Sequence, residues 1–108
     1  MGNMRIISTG TLSAADQAIS AEFRHLANGA CGVQITGTFS ATFLIEATID
    51  GTNWNPYAFI NCVTGATETS ITSTGQFRTE LVGVSSVRLR MSARTSGSAN
   101  VTLVVLSN

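Results

Sequence analysis

A chain of 108 residues is sequence enough for one domain, with roughly 65% of its unfolded surface available for a modest core. Hydrophobic residues make up 44% and charged residues only 11%, well short of the roughly 25% usual in soluble domains, so Ser, Thr, Gly and Asn fill the polar positions. The net charge is zero and there is no apolar run long enough for a membrane helix, which removes the electrostatic footprint of a nucleic-acid or membrane binder. What charge there is has one odd feature: all six basic residues (Arg5, Arg24, Arg78, Arg88, Arg90, Arg94) are Arg and none is Lys. Arg suits bidentate, partly buried pairing and is enriched at protein interfaces, where Lys is depleted.

Residues 1–15 read as an extended N-terminal arm, with the folded domain expected over 16–108. The arm has a short apolar patch, Met4, Arg5, Ile6, Ile7, followed by Ser8-Thr9-Gly10-Thr11. Alone it buries too little surface to offset its ordering entropy, so it either frays or adds to a neighbouring subunit's sheet. The first 30 residues have neither the basic start nor the apolar stretch of a signal peptide, and Ile6 replaces the Ser or Thr of a myristoylation motif. Synthesis and retention in a cytosol are expected, unless assembly carries the product elsewhere.

Around Ser13–Gln17 a single helical turn is expected, with Ser13 and Asp16 as a weak capping pair. Residues 17–23 form a weak strand candidate, and Cys31–Thr36 reads as a strand that turns at Gly37. From Phe39 the alternation is plain: Phe39, Ala41, Phe43, Ile45, Ala47 and Ile49 share one face, while Ser40, Thr42, Leu44, Glu46 and Thr48 share the other. Leu44 is the one apolar residue on that polar face. Period two over eleven residues predicts a long strand with one buried side.

Asp50-Gly51 then marks a hairpin turn, because Gly tolerates positive φ and Asp bonds its own backbone. A further strand is expected from Trp54 to Val63, at an edge or bulge because Pro56 cannot donate to a ladder. Trp54 reads as a corner residue packed inside and Tyr57 as the aromatic left outside. Short strands follow at 68–72 and 76–81. Val87, Leu89, Met91 and Ala93 alternate with Arg88, Arg90, Ser92 and Arg94. A hairpin centred on Gly97 leads into 101–106, where Val104 and Leu106 make the second face apolar too, so something other than water should cover it. About eight short strands at regular spacing predict an all-β, antiparallel β-sandwich.

Chemistry is sparse. His25, the lone histidine, has no Cys or second His at ligand spacing, so no metal site is expected and a structural role is. Cys31 and Cys62 match neither a CxxC motif nor a disulfide framework and read as two buried thiols. No GxSxG elbow occurs, and the acids Asp16, Glu22, Glu46, Asp50, Glu68 and Glu80 offer no glycosidase pair; Asp50 is expected to shape its own turn, and Glu46, Glu68 and Glu80 to pair with Arg across strands. Arg88, Arg90 and Arg94 share one strand register, but without interleaved aromatics they fit acids of a neighbouring strand or subunit rather than phosphates. No catalytic residue and no cofactor is predicted. Met4, Arg5, Ile6, Ile7, Leu44, Tyr57, Arg88, Arg90, Arg94, Val104 and Leu106 are the candidates for a protein interface.

The stretches VQITGTFSATFLIEATIDGTNWNPYAFIN, TGAT and TGQFRTELVGVSSVRLRMSARTSGSANVTLVVLS form a pattern. It resembles the small β-sandwich domains of tailed-bacteriophage virion proteins. The match rests on Gly37-Thr38-Phe39-Ser40, Glu46, Asp50-Gly51-Thr52, Trp54, Gly75, Phe77-Arg78, Val82-Gly83, Val87-Arg88-Leu89-Arg90, Ser92-Ala93 and Thr95-Ser96-Gly97, with Phe77 where the pattern has Tyr. The resemblance implies a jelly-roll-like fold and a virion location, most like a capsid decoration or cement protein that associates as a dimer or trimer and binds the major capsid protein. The alternatives it leaves are a glycan-binding module of a fibre or tail tip, with Trp54, Tyr57, Asn53 and Asn55 as contacts, or a neck or tail adaptor.

Overall fold

A computed structural model of the chain describes residues 4–23 and 27–107; Arg24, His25 and Leu26 lie outside the described residues, as does the side chain of Met4. Eight strands carry the fold and no helix occurs among the described residues. They are β1 (Met4–Leu12), β2 (Ala18–Glu22), β3 (Asn28–Thr48), β4 (Asn55–Pro56), β5 (Phe59–Asn61), β6 (Thr67–Glu68), β7 (Gly75–Val82) and β8 (Ser86–Ser107). All belong to one antiparallel sheet, ordered β1-β8-β3-β7-β5-β6, with β2 added to β8 and β4 to β3.

The backbone of the molecule is the β3–β8 ladder, paired from Gly29 opposite Ser107 to Thr48 opposite Ser86. A straight strand of 21 residues would span about 69 Å at ~3.3 Å per residue. The longest dimension of the whole chain is 43 Å, so both strands must bend. They bend together. Gly37 has φ of 113° and lies opposite Ala99; Gly97 has φ of 80° and lies opposite Phe39. A Cβ on Gly97 would come within 2.2 Å of the Thr38 carbonyl oxygen, and one on Gly37 within 2.7 Å of that of Ser98. Register shifts at Ser40/Ala41 and Thr42/Phe43 add the local twist that bulges supply.

The bend folds the sheet over a single core. One half comprises β1, residues 99–107 of β8, residues 28–36 of β3, and β7, β5 and β6. The other comprises β2, residues 86–94 of β8, residues 38–48 of β3, and β4. Odd-numbered residues face inward in both halves of the long strands: Val33, Ile35, Val101, Leu103 and Val105 on one side of the bend, Phe43, Ile45, Val87, Leu89 and Met91 on the other. Each such side chain contributes about 1.5–3 kcal/mol on burial. Edge-to-face pairs Phe39–Phe43 (5.2 Å) and Phe59–Phe77 (5.5 Å) fill the space between the strands. One sheet closed over one core in this way is compatible with the sandwich expected.

Several expectations need correcting. Gly37 and Gly97 are not hairpin turns; they are the kinks of two continuous strands, because each lies inside the paired ladder. The stretch expected to be an arm is strand β1, in register with β8 of its own chain from Met4 opposite Ser107 to Leu12 opposite Ala99, because that half of β8 offers an unpaired edge and inward Val101, Leu103 and Val105 for Ile6 to pack on. At 13–17 the link is a turn, not a helical one capped by Ser13 and Asp16: the Gln17 side-chain oxygen accepts from the amides of Ser13 and Ala14, and Asp16 takes φ of 70°. Residues 54–63 split into β4 and β5, with Pro56 on a two-residue edge strand as its missing N–H requires. The 68–72 strand is instead β6 plus an isolated bridge from Ile71 to Phe43. Ile49, expected inside, is 68% exposed because the strand ends before it.

Candidate interaction surfaces

The two halves of the sheet present two outward faces of opposite character. On the β2 half, Glu46 of β3 lies opposite Arg88 of β8, and Leu44 opposite Arg90. Arg88 Nε donates to Glu46 Oε1 at 2.8 Å, Arg90 Nε to the same oxygen at 3.0 Å, and Arg90 Nη2 to Oε2 at 3.1 Å. Arg90 Nη1 also donates to Asp16 Oδ1 at 2.8 Å. The result is a neutral four-residue cluster in which the Glu46 side chain is only 5% exposed. Burial pushes the Glu46 carboxyl up, but hydrogen bonds and charge from Arg90 and Arg88 outweigh it and hold the group below its ordinary range. The same hydrogen bonds raise Arg90.

Trp54 closes this face. Its ring lies 4.2 Å from the Arg88 guanidinium carbon, a cation–π contact. It is half-exposed and outside the core, whereas Tyr57 packs against the core, its amide donating to the Ile45 carbonyl at 2.8 Å. Both aromatics are thus half-buried: Trp54, expected inside, lies outside the core, and Tyr57, expected outside, packs partly against it. The turn between them and β3 is organised by Asp50, whose Oδ1 accepts from the amides of Thr52 and Asn53 and the hydroxyl of Thr48, while Oδ2 accepts from Asn53 Nδ2. Donation from the Asn53 and Thr52 amides holds its carboxyl far below the usual carboxylate range. Arg94 leaves the Arg88–Arg90 register after the bulge, lies opposite Ala41, and donates from Nε to the Gly97 carbonyl at 2.9 Å.

On the other half, the outward face is open. Successive rows cross it in register. Arg5, Leu106, Ala30 and Glu80 form one row; Ile7, Val104, Gly32, Arg78 and Ile60 form the next. Ile7 is 52% and Leu106 42% exposed, and no other element among the described residues covers them. A depression of about 330 Å³ lies beside Val104, over Gly32 and between Gln34, Arg78 and Cys62. At Gly32 an added Cβ would meet nothing within 4 Å. Cys62 is exposed on this face and Cys31 is buried beneath it, so the reading of two buried thiols holds for Cys31 alone; burial pushes that thiol up to about 12.

The structure thus gathers Arg5, Ile7, Val104 and Leu106 on the open face and turns Ile6 inward. It places Leu44, Arg88 and Arg90 on the sealed face, and Tyr57 and Arg94 on neither. Not among the interface candidates read from the sequence are Ala30, Gly32, Arg78 and Glu80; for Ala30 and Gly32 the signal was there, since small residues at outward positions of a strand mark a surface that lies open or is closely approached. Among the described residues no group of three His, Cys, Asp or Glu lies close enough to hold a metal.

No family model matches the chain, and no curated protein sequence does. Solved structures share its fold. The SPBc2 prophage-derived protein YomS superposes over 96% of both chains with a TM-score of 0.70 at 15% identity. The PBSX exported protein XepA superposes over 94% of this chain and 38% of its own length, with a TM-score of 0.73 at 14% identity. Likeness at such identity is one of fold.

Proposed function

We propose that this chain is a non-enzymatic structural protein of a tailed-phage particle, a capsid decoration or cement protein that binds the assembled shell in preference to its free subunits. The observation that carries this reading is the open β1–β8–β3–β7 face, where Ile7 and Leu106, with half-buried Val104 beside them, present apolar surface that no other described element covers and that burial in an assembly of protein chains would remove from water, on a domain with 11% charged residues. Fold likeness to a prophage-derived protein over nearly the whole of both chains supplies the setting. The mechanism is mass action: a ligand of the assembled state alone stabilises it by about 2.7 kcal/mol once present at a hundred times its Kd.

The test is to purify particles, locate the chain by labelled antibody and quantify it. Copies spread over the capsid lattice, and shells that rupture at lower temperature when stripped of it and recover on add-back, are the expected result. Confinement to neck or fibre, or absence from particles, overturns it. A second reading, a glycan-binding module of a tail tip, is favoured by one observation: Trp54 is half-exposed beside Asn53 and Asn55. A tryptophan emission maximum that shifts on adding host-surface sugars would establish that reading instead.

A further inference from the structure

The open face matches itself. Large side chains stand on β8, Leu106 and Val104, while β3 beside it carries Ala30 and Gly32 in the same two rows. The outer strands carry opposite charges in one row, Arg5 on β1 and Glu80 on β7. Within one chain these two cannot meet, since three strand spacings of ~4.8 Å hold them about 14 Å apart. Both are exposed, and neither has an ion-pair partner among the described residues.

A two-fold axis placed between β8 and β3, parallel to them, lays β8 of one copy over β3 of the other and β1 over β7. Leu106 then lies over Ala30, Val104 enters the hollow above Gly32, Ile7 covers the aliphatic stem of Arg78, and Arg5 meets Glu80. Every contact occurs twice, as an isologous interface requires. A face chosen for an unrelated partner would have no reason to carry matched knobs and hollows on adjacent strands and opposite charges at its two ends.

We infer that this face is where one copy of the chain meets another, with Val104 and Leu106 seated on Gly32 and Ala30 of the second copy and Arg5 paired with its Glu80. The inference names the occupant of the face invoked for the proposed function and leaves shell contact to the rest of the assembly. The face measures about 30 Å along β1 and about 19 Å across five strands, below the ~800 Å² per partner of standard complexes, so association is expected at micromolar rather than nanomolar protein.

Sedimentation equilibrium across a concentration series reads it. The natural chain is expected to show a mass above the monomer that falls on dilution. Arg5→Glu and Glu80→Arg should each raise the dissociation constant at least about tenfold, and the double variant R5E/E80R should return it to within about threefold of the original. Gly32→Leu, which meets no atom of its own chain at Cβ, should abolish association while melting as the natural chain does. A monomer at every concentration up to about 1 mM, single variants without effect, or a double variant without recovery overturns the inference. Failure here is separable from failure of the proposed function: a monomer found on the capsid lattice removes only the self-contact, and an oligomer absent from particles removes only the virion role.

Discussion

Two faces of one sheet, built on the same pair of long strands, treat their outward residues in opposite ways. On the β2 half, a buried carboxylate gathers two guanidinium groups and Trp54 lies over one of them, so the polar face is finished within the chain. On the β1 half, the equivalent positions hold Ile7, Leu106, Val104, Ala30 and Gly32, and no other described element covers Ile7 or Leu106. The contrast teaches which surface is waiting for something. A charge cluster satisfied at 2.8–3.1 Å has little left to offer a partner, whereas exposed apolar side chains beside a hollow do.

The sharpest way to separate inside from open face is thiol labelling. Cys62 should react at once with a maleimide and Cys31 at least about a thousandfold more slowly, limited by opening of the sheet, because burial disfavours the thiolate. Equal rates would break the assignment of faces, and slowing of Cys62 with protein concentration would sharpen it.

The bend that creates the two halves should be the costliest place to touch. Gly97→Ala is expected to lose about 3 kcal/mol in urea unfolding, from φ of 80° and collision with the Thr38 carbonyl. Glu46→Ala should cost about 2 kcal/mol, less than for a fully buried pair because Arg88 and Arg90 keep side-chain exposures of 25% and 22%. Leu106→Ser on the open face should cost under about 0.5 kcal/mol in the monomer. Were these two to exchange magnitudes, the contrast between sealed and open faces would collapse.

Acid should find the sealed face too. Glu46 and Asp50 are held below their unfolded values of 4.5 and 3.8, so the unfolded chain binds protons first; their stabilisation is present above those values and is lost as pH falls through the folded ones. Stability measured between pH 6 and 3 should decline below about pH 4.5, and Glu46→Gln should decline less steeply. Trp54→Ala should cost about 0.5–1 kcal/mol, as for a half-exposed cation–π contact, and of these variants only Leu106→Ser should cost less.

Much of this could be read from local pattern. Alternation placed Phe43, Ile45 and Ala47 inside, and Val87, Leu89 and Met91 with them, because period two is a property of one strand alone. Asp50-Gly51 was legible as a turn for the same local reason. Gly97 was not: Thr95 to Ser98 has the composition of a hairpin, and only its pairing with Thr38 and Phe39 shows that the strand continues. Nor was the partner of Glu46, since Arg88 lies 42 positions away and register between distant strands leaves no local trace. Trp54 and Tyr57, both half-buried, were misplaced because face counting fails across a turn, where alternation is interrupted. The open face was half visible: Val104 and Leu106 signalled an uncovered side, but which strands lay beside them did not follow from the order of the chain.

The β3–β8 ladder also dictates when this protein can fold. β3 finds its main partner only in residues 86–107, and β1, the first strand, pairs with the last nine residues of that same segment. Pairing over such separations closes large loops before any contact repays them, which places the chain among slow folders dominated by non-local contacts. On the ribosome, then, most of the sheet is written before it can be assembled. β1, β2 and one whole edge of β3 wait unpaired until β8 emerges, and the time spent in that state, more than the final stability, is what a cell's chaperones would have to manage.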